Sequence, residues 1–257
     1  MIGFKIDNCK ENKQYLEEIF SLGEQNPIEI GLECYGEERY FDQKSDILKR
    51  TFELAKNRKI IVHLTLKAKV LNKEEFLEEE WLSIWKEQAK VIEKQNIAYV
   101  IVHATSKESK VLSEKEQIEI IHKNFQKLKK IIPYPIYIEN TYEDLDFYKK
   151  LFLKADKDMN FVFDIGHKKV HSKESMSKWI EFLLQLKMEG RGLHFHIHDN
   201  NGISDLHKPI SFYNDKKVIH SIQFLMELFP TECFILEQHG NSIIDNFKDY
   251  IVLNTKS

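Results

Sequence analysis

The chain of 257 residues is longer than a typical single domain, and its 38 basic and 41 acidic side chains leave a net charge of −3. This near balance excludes a global basic field, so the charge allows nucleic-acid binding without favouring it. With 42% apolar residues the chain can bury a large core, which excludes a disordered protein. The three cysteines are scattered and odd in number, so they predict neither a disulfide framework nor a close-spaced zinc motif.

The first residues, MIGFKIDN, become charged at Lys5 and so lack the apolar stretch of a secretory signal. No apolar run along the chain approaches the length that crosses a membrane. We therefore expect a soluble cytoplasmic protein without a membrane partner.

Eight short runs rich in Ile, Val and Phe predict strands, at about residues 1–6, 28–33, 60–66, 99–105, 136–141, 161–166, 193–199 and 233–238. Amphipathic stretches between them predict helices, at about 11–21, 44–57, 74–95, 114–131, 143–154, 173–189, 213–228 and 243–252. Eight strands, each followed by a helix, predict an α/β fold with a single (β/α)₈ TIM barrel over residues 1–257. A doubly wound open sheet is the alternative, and the absence of a Gly-rich phosphate loop from the sequence favours the closed barrel.

Residues of metal-binding type stand at the ends of six predicted strands, where the active sites of TIM barrels lie. They are His63, His103, Glu139, Asp164, His196 and Glu237, and His167, Asp205 and His207 follow in the adjoining loops. An unpaired buried carboxylate costs several kcal/mol, so the acids among these residues need a shared counter-charge. Asp, Glu and His are the ligands expected for zinc or manganese.

Each of these residues alone also has a purely structural interpretation. A histidine can be a satisfied core residue, and Asp164 and Asp205 are plausible helix N-caps. Such interpretations would have to coincide on six strands at the same end of the barrel, so the whole set predicts a divalent-metal site.

Three basic residues in the predicted loops are candidate phosphate contacts. Arg39 follows the second strand, and Lys67 and Lys69 follow the third. Ordinary surface charge is the alternative interpretation for all three.

Four strand-end motifs together resemble the xylose isomerase-like TIM-barrel superfamily, which includes endonuclease IV and many sugar-phosphate isomerases and epimerases. The motifs are IEN at 138–140, FDIGH at 163–167, HIHDNNGISDLH at 196–207 and LEQ at 236–238. The resemblance implies that the four-residue metal site of the isomerases falls on Glu139, Asp164, His196 and Glu237. The endonuclease IV pattern further implies a zinc held by His63 and His103 with Glu139 bridging, and another held by His167, Asp205 and His207.

The resemblance also assigns one histidine a secondary role and shows two departures. His196 matches the family ligand because it precedes Asp199 by three positions, so His198 is expected either behind the ligands or against the substrate. Ala104-Thr105 replace the family's Pro-Gly, and Ser211-Phe212-Tyr213 replace a Gly-x-Gly. These departures weigh more against a DNA substrate than against the metals.

Two reactions are compatible with this set of ligands. We prefer phosphoester hydrolysis at a centre of up to three Zn²⁺, with Glu139 bridging two of them and a sugar phosphate or phosphodiester as substrate. The alternative is a sugar isomerase or epimerase with one Mn²⁺ or Zn²⁺, in which Glu139 and Glu237 exchange a carbon-bound proton. A non-enzymatic binding module is a third class, and the metal content per chain separates the three.

Overall fold

Eight parallel strands close into a barrel in the computed structural model, which describes residues 1–7, 13–21, 25–32, 46–64, 78–105, 112–238 and 243–254. The strands are β1 Ile2–Asp7, β2 Ile28–Gly31, β3 Ile60–His63, β4 Ile97–His103, β5 Ile136–Glu139, β6 Met159–Asp164, β7 Leu193–Ile197 and β8 Cys233–Leu236. Each strand pairs with the next along the chain, and β8 pairs with β1. The predicted (β/α)₈ TIM barrel is confirmed, and the open sheet is excluded.

Helices follow every strand and cover the barrel from outside. They are α1 Lys13–Ser21, α2 Asp46–Ala55, α3 Glu78–Ile92, α4 Glu114–Lys129, α5 Leu145–Leu153, α6 Ile165–His171, α7 Met176–Met188, α8 Ile210–Tyr213, α9 Lys216–Leu228 and α10 Ile243–Asn254. The prediction of one helix per strand is incomplete after β6 and β7, which are each followed by two. Both additional helices, α6 and α8, are too short for a helical periodicity to be recognised in the sequence.

The strands are buried on both faces, as their near-continuous apolar sequences predict. Outward-facing side chains such as Phe4, Phe161 and Phe195 pack against the helices in one large core. Inward-facing side chains fill the barrel itself with a second apolar cluster, which we call the lower layer: Ile61, Tyr99, Ile101, Val162, Cys233 and Ile235. Each fully buried side chain of this size contributes about 1.5–3 kcal/mol.

Local sequence sets where several helices begin, and therefore where the loops lie. Ser113 begins α4 with a capping box to Glu116, and Asp144, Ser175 and Asp215 accept backbone N–H bonds at the first turns of α5, α7 and α9. Among the described residues, no helix has the length and apolar character needed to cross a membrane. The single-domain organisation over 1–257 stays a prediction.

Candidate metal centre

Polar side chains close the C-terminal end of the barrel interior, directly above the lower layer. We call this set the upper layer: His63, His103, Glu139, Asp164, His196 and Glu237, from β3 to β8 in order. All but His103 are at most 5% exposed. Together with His167, Asp205 and His207, they fall into three groups whose potential ligand atoms lie within 4.8 Å of one another. His198 lies within the same distance of the group of His167, Asp205 and His207, and Glu29 lies within it of His63 and His196.

The middle group consists of Glu139, Asp164, His196 and Glu237. His196 Nδ1 lies 2.6 Å from Glu237 Oε2, 3.3 Å from Glu139 Oε1 and 3.7 Å from Asp164 Oδ2. His196 Nδ1, Glu139 Oε1 and Glu237 Oε2 are buried, and none has a hydrogen-bond partner among the described residues. Buried polar atoms are seldom left unpaired, and a divalent cation between them fits this donor set.

The first group shares Glu139 with the middle group and adds two imidazoles. The Nε2 atoms of His63 and His103 lie 2.9 and 3.0 Å from Glu139 Oε2. His63 Nδ1 faces the Leu64 carbonyl at 3.3 Å, and a carbonyl only accepts. A proton on Nδ1 is therefore favoured when a cation takes the place of the proton on Nε2, the atom that faces Glu139.

The third group consists of His167, Asp205 and His207. The Nε2 atoms of both histidines lie near Asp205 Oδ2, at 3.1 and 3.2 Å. Their Nδ1 atoms face the backbone carbonyls of Asn140, at 2.8 Å, and Glu237, at 3.3 Å. Outer partners of this kind fix the tautomer of metal-binding histidines and leave Nε2 available to a cation.

A loop after β7 places two members of the third group. Asn200 Oδ1 accepts the N–H groups of Leu206, at 2.5 Å, and His207, at 3.1 Å. His207 has φ +45°, a left-handed conformation that is uncommon for a residue other than glycine. The Asn200 side chain therefore holds the backbone turn that directs His207 toward Asp205.

Asp164 is both a helix cap and a member of the middle group. Its Oδ1 accepts the N–H of His167 at 2.6 Å, which begins α6, and its Oδ2 accepts from His198 Nε2 at 2.9 Å. Asn140 donates to the Asp164 carbonyl at 3.0 Å and accepts its N–H at 2.7 Å, which joins the ends of β5 and β6. The two sequence interpretations of Asp164, cap and ligand, are compatible because each uses a different oxygen.

His198 lies behind the ligands. It is completely buried, and its ring stacks on that of His207 with centroids 3.8 Å apart and planes 7° apart. Gly166 leaves room for it, because a Cβ at that position would overlap the His198 ring. This placement favours a supporting role for His198 over contact with a substrate.

The other predicted substrate contacts, Arg39, Lys67 and Lys69, lie outside the described residues. Their role in binding phosphate stays a prediction.

The carboxylates of the three groups are ionised. Burial by itself raises the pKa of Glu139, but the neighbouring His103 and His196 lower that pKa well below its usual range. Burial likewise opposes ionisation of Glu237, whose pKa is lowered by His196 and Lys5. The pKa of Asp205 is lowered, against its burial, by His167 and His207. Ionised carboxylates are the form that binds cations.

Sequence reasoning missed two buried charged residues beside these groups, Lys5 on β1 and Glu29 on β2. They are register partners in adjacent strands, and they are 6% and 0% exposed. Each is a charge within a predicted strand and is flanked by apolar residues, but this local pattern does not show which side chains the two charges face.

No family model and no curated protein sequence matches the chain. Solved structures nevertheless share its fold along nearly the whole length, and they are xylose isomerase-like TIM-barrel proteins. The fold implied by the resemblance of the strand-end motifs is therefore confirmed.

Three of these structures show the range of the similarity. The IolI protein with a bound zinc atom is 16% identical, covers 98% of this chain and 97% of its own, and has a TM-score of 0.68. D-psicose 3-epimerase from Clostridium cellulolyticum is 10% identical over 99% of both chains, with a TM-score of 0.64. Endonuclease IV from Thermus thermophilus is 14% identical over 98% of both, with a TM-score of 0.61. Because one fold carries an epimerase and an endonuclease, the reaction has to be argued from the site.

Proposed function

We propose that this protein is a divalent-metal-dependent hydrolase of phosphoesters with a multi-zinc centre, acting on a sugar phosphate or a phosphodiester. The observation that carries the proposal is the placement of the two Glu139 oxygens. Oε2 faces the imidazoles of His63 and His103, and Oε1 faces His196. A carboxylate between two sets of ligands suits a bridge between two cations, as binuclear hydrolytic centres require.

The third group borders the middle one, which supports a single polynuclear centre. His167 Nδ1 lies 3.3 Å from Glu139 Oε1, and the His103 and His167 rings are 6.3 Å apart. Divalent cations bound there would activate the attacking water and neutralise charge on the phosphoester oxygens. The chain's own task is to hold the ligands: Glu139 joins the first and middle groups, and Asp205 joins His167 to His207.

The charge of the ligand set supports an anionic substrate. The nine ligands comprise five imidazoles and four carboxylates, and the adjacent charges of Lys5 and Glu29 cancel. When cations occupy all three groups the imidazoles are neutral and the four carboxylates carry −4, so three divalent cations leave the set with a net charge of +2, which attracts a phosphoester.

A metal-dependent sugar isomerase or epimerase is the second candidate, because the middle group alone would suffice for it and an epimerase shares the fold. That reaction needs a free carboxylate oxygen on both Glu139 and Glu237 to move a carbon-bound proton. Lys5 contacts Glu237 Oε1 and the first group faces Glu139 Oε2. If the cation takes the other oxygen of each glutamate, neither keeps an uncontacted oxygen for proton transfer.

Metal content per chain tests the proposal. Protein purified without chelator should hold close to three equivalents of zinc and hydrolyse a model phosphodiester such as bis(p-nitrophenyl) phosphate. His167→Ala and His207→Ala should each remove about one equivalent, because two remaining protein ligands are fewer than zinc sites normally keep. His220→Ala, on the exposed face of α9, is the matched control and should keep all three.

A different metal content and activity would identify a different function. One equivalent of metal in the wild type and in both variants, together with C3 epimerisation of a ketohexose, would replace the hydrolase by the isomerase. No bound metal would favour a non-enzymatic binding module.

The proposal extends to the protein's surroundings. We infer a cytoplasmic enzyme, because Cys233 is a free, buried thiol of the kind found in a reducing compartment. The preferred partner is a small-molecule phosphoester, with nucleic acid allowed but not favoured by the net charge of −3.

A further inference from the structure

Two strands of the barrel, β1 and β2, supply none of the nine predicted ligands, although Glu29 on β2 lies within 4.8 Å of His63 and His196. In their place they supply Lys5 and Glu29, whose Cα positions are paired across the two strands. Both side chains point into the barrel, and burial of a charge is costly unless it is paired. Their contacts therefore indicate what they do.

Both residues are paired with members of the middle group. The Lys5 ammonium donates to Glu237 Oε1 and lies 3.6 Å from Glu29 Oε1. Glu29 Oε2 accepts from His196 Nε2 at 2.9 Å and lies 3.2 Å from His194 Nε2. Lys5 on β1 thus contacts Glu237 through Oε1, and Glu29 on β2 contacts His196 through Nε2. In both cases the contacted atom is the one that does not face the rest of the middle group.

The remaining atoms of the same two ligands face each other. His196 Nδ1 and Glu237 Oε2 are 2.6 Å apart, buried, and without a hydrogen-bond partner in the part of the chain that the structure describes. Because Glu29 accepts from Nε2, the ring nitrogen of His196 that a cation would bind in place of a proton is Nδ1. Because Lys5 holds Oε1, Glu237 offers a cation one oxygen and not two.

We propose that Lys5 and Glu29 are positioning residues that limit Glu237 to a single ligand oxygen and fix His196 to its Nδ1 ligand atom. This inference rests on the metal centre of the proposed function and deepens it. By holding Oε1, Lys5 also prevents Glu237 from moving a carbon-bound proton, so a lysine on β1 selects between the two reactions that the ligand set alone allows.

Cobalt substitution gives a readout that a merely structural role would not move. The visible absorption of protein-bound Co²⁺ reports the number of ligand atoms, so it changes if Glu237 binds through two oxygens. In Lys5→Met, which keeps the length of the side chain and removes its charge, we expect an altered Co²⁺ spectrum. Zinc affinity, measured by competition with a chromophoric chelator, should fall by about 10- to 100-fold, as it does when outer partners of metal ligands are removed.

Two variants make the comparison specific. Lys5→Arg keeps the charge and should restore most of the wild-type spectrum. Arg191→Met removes a buried cation that donates to the Met159 and Ala155 carbonyls, away from the three groups. It should lower the denaturant midpoint without changing the Co²⁺ spectrum or the zinc affinity.

An unchanged Co²⁺ spectrum and zinc affinity in Lys5→Met would overturn the proposal, whatever the stability of the variant. If Lys5→Met does not fold, Glu29→Gln is the second test, because glutamine keeps the shape of the glutamate side chain. Zinc binding should weaken in this variant because His196 loses its charged partner. Unchanged zinc affinity of Glu29→Gln would also overturn the proposal. A wild type that binds one Co²⁺ and hydrolyses no phosphoester, with a spectrum that Lys5→Met still alters, would exclude the hydrolase and leave the positioning role standing.

Discussion

The upper and lower layers of the barrel interior come from the same strands, two residues apart. Ile61 lies below His63, Ile101 below His103, and Ile235 below Glu237. The lower layer contains mainly aliphatic and aromatic side chains, whereas the upper layer contains only carboxylates and imidazoles. Side chains alternate along a strand, so residues two positions apart both face the barrel interior. Two residues along each strand, the interior therefore changes from a packed apolar core to a set of candidate ligands.

The difference shows how the barrel separates stability from chemistry. Apolar burial in the lower layer stabilises the closed ring of strands, and that ring brings together carboxylates that repel each other in the upper layer. Substitutions in the lower layer should therefore change stability and leave metal binding unchanged. Substitutions in the upper layer should change metal binding and activity.

The largest effect is expected from Glu139→Gln in the upper layer. An amide cannot bridge two cations, and it cannot serve as a base in the isomerase reaction, so activity should fall by at least 10²- to 10⁴-fold. Tyr137→Phe, two residues below on β5, is the matched control and should keep both activity and zinc. Near-wild-type turnover of Glu139→Gln would show that the chemistry lies elsewhere.

Ile235→Ala tests the lower layer. The side chain is fully buried, so its truncation should lower the free energy of unfolding by about 2–5 kcal/mol, measured by urea denaturation of the chelator-treated protein. Zinc content of the untreated variant should match the wild type. Loss of zinc would mean that the two layers are not separable.

Asn200→Ala tests whether the loop after β7 belongs to the upper layer. Without the side chain that accepts the His207 N–H, the turn at His207 loses its support, and zinc affinity of the third group should fall by about 10- to 100-fold. The control is Asn201→Ala, because Asn201 accepts the N–H groups of Ile203 and Ser204 in the same loop and contacts no ligand. Equal effects of the two variants would count against a specific role for Asn200.

The smallest effect concerns pH and Tyr137. Burial, with Glu232 and Cys233 nearby, raises the pKa of Tyr137 to about 12. A pKa raised by folding contributes stability below the unfolded value of about 10, and that contribution is lost as the pH rises toward 12. Between these pH values the wild type should lose more stability than Tyr137→Phe, as measured by urea midpoints, and parallel curves would contradict this.

The positions of the candidate ligands could be predicted because the ends of the strands meet at one end of a barrel. His63, Glu139 and Asp164 each end an apolar run, so the sequence alone places them at one edge. Lys5 and Glu29 could not be placed in the same way, because their role depends on the pairing of β1 with β2 and with β8. That pairing joins residues far apart in the chain and leaves no local pattern.

The loop after β7 shows a second limit of prediction. The sequence identifies Asp205 and His207 by their types, but the left-handed backbone of His207 depends on a side chain seven positions earlier. A left-handed conformation is uncommon for any residue other than glycine, so the sequence does not indicate it and it emerges only when the whole turn is built.

The contact between Lys5 and Glu237 joins residues that are 232 positions apart. During synthesis the ribosome releases β1 first and β8 last, so Glu237 reaches Lys5 and Glu29 only when nearly all of the barrel has been made. Until then the middle group lacks one of its carboxylates, and Lys5 lacks its Glu237 partner. The middle group is therefore expected to be completed only when β8 has joined β1 and closed the barrel.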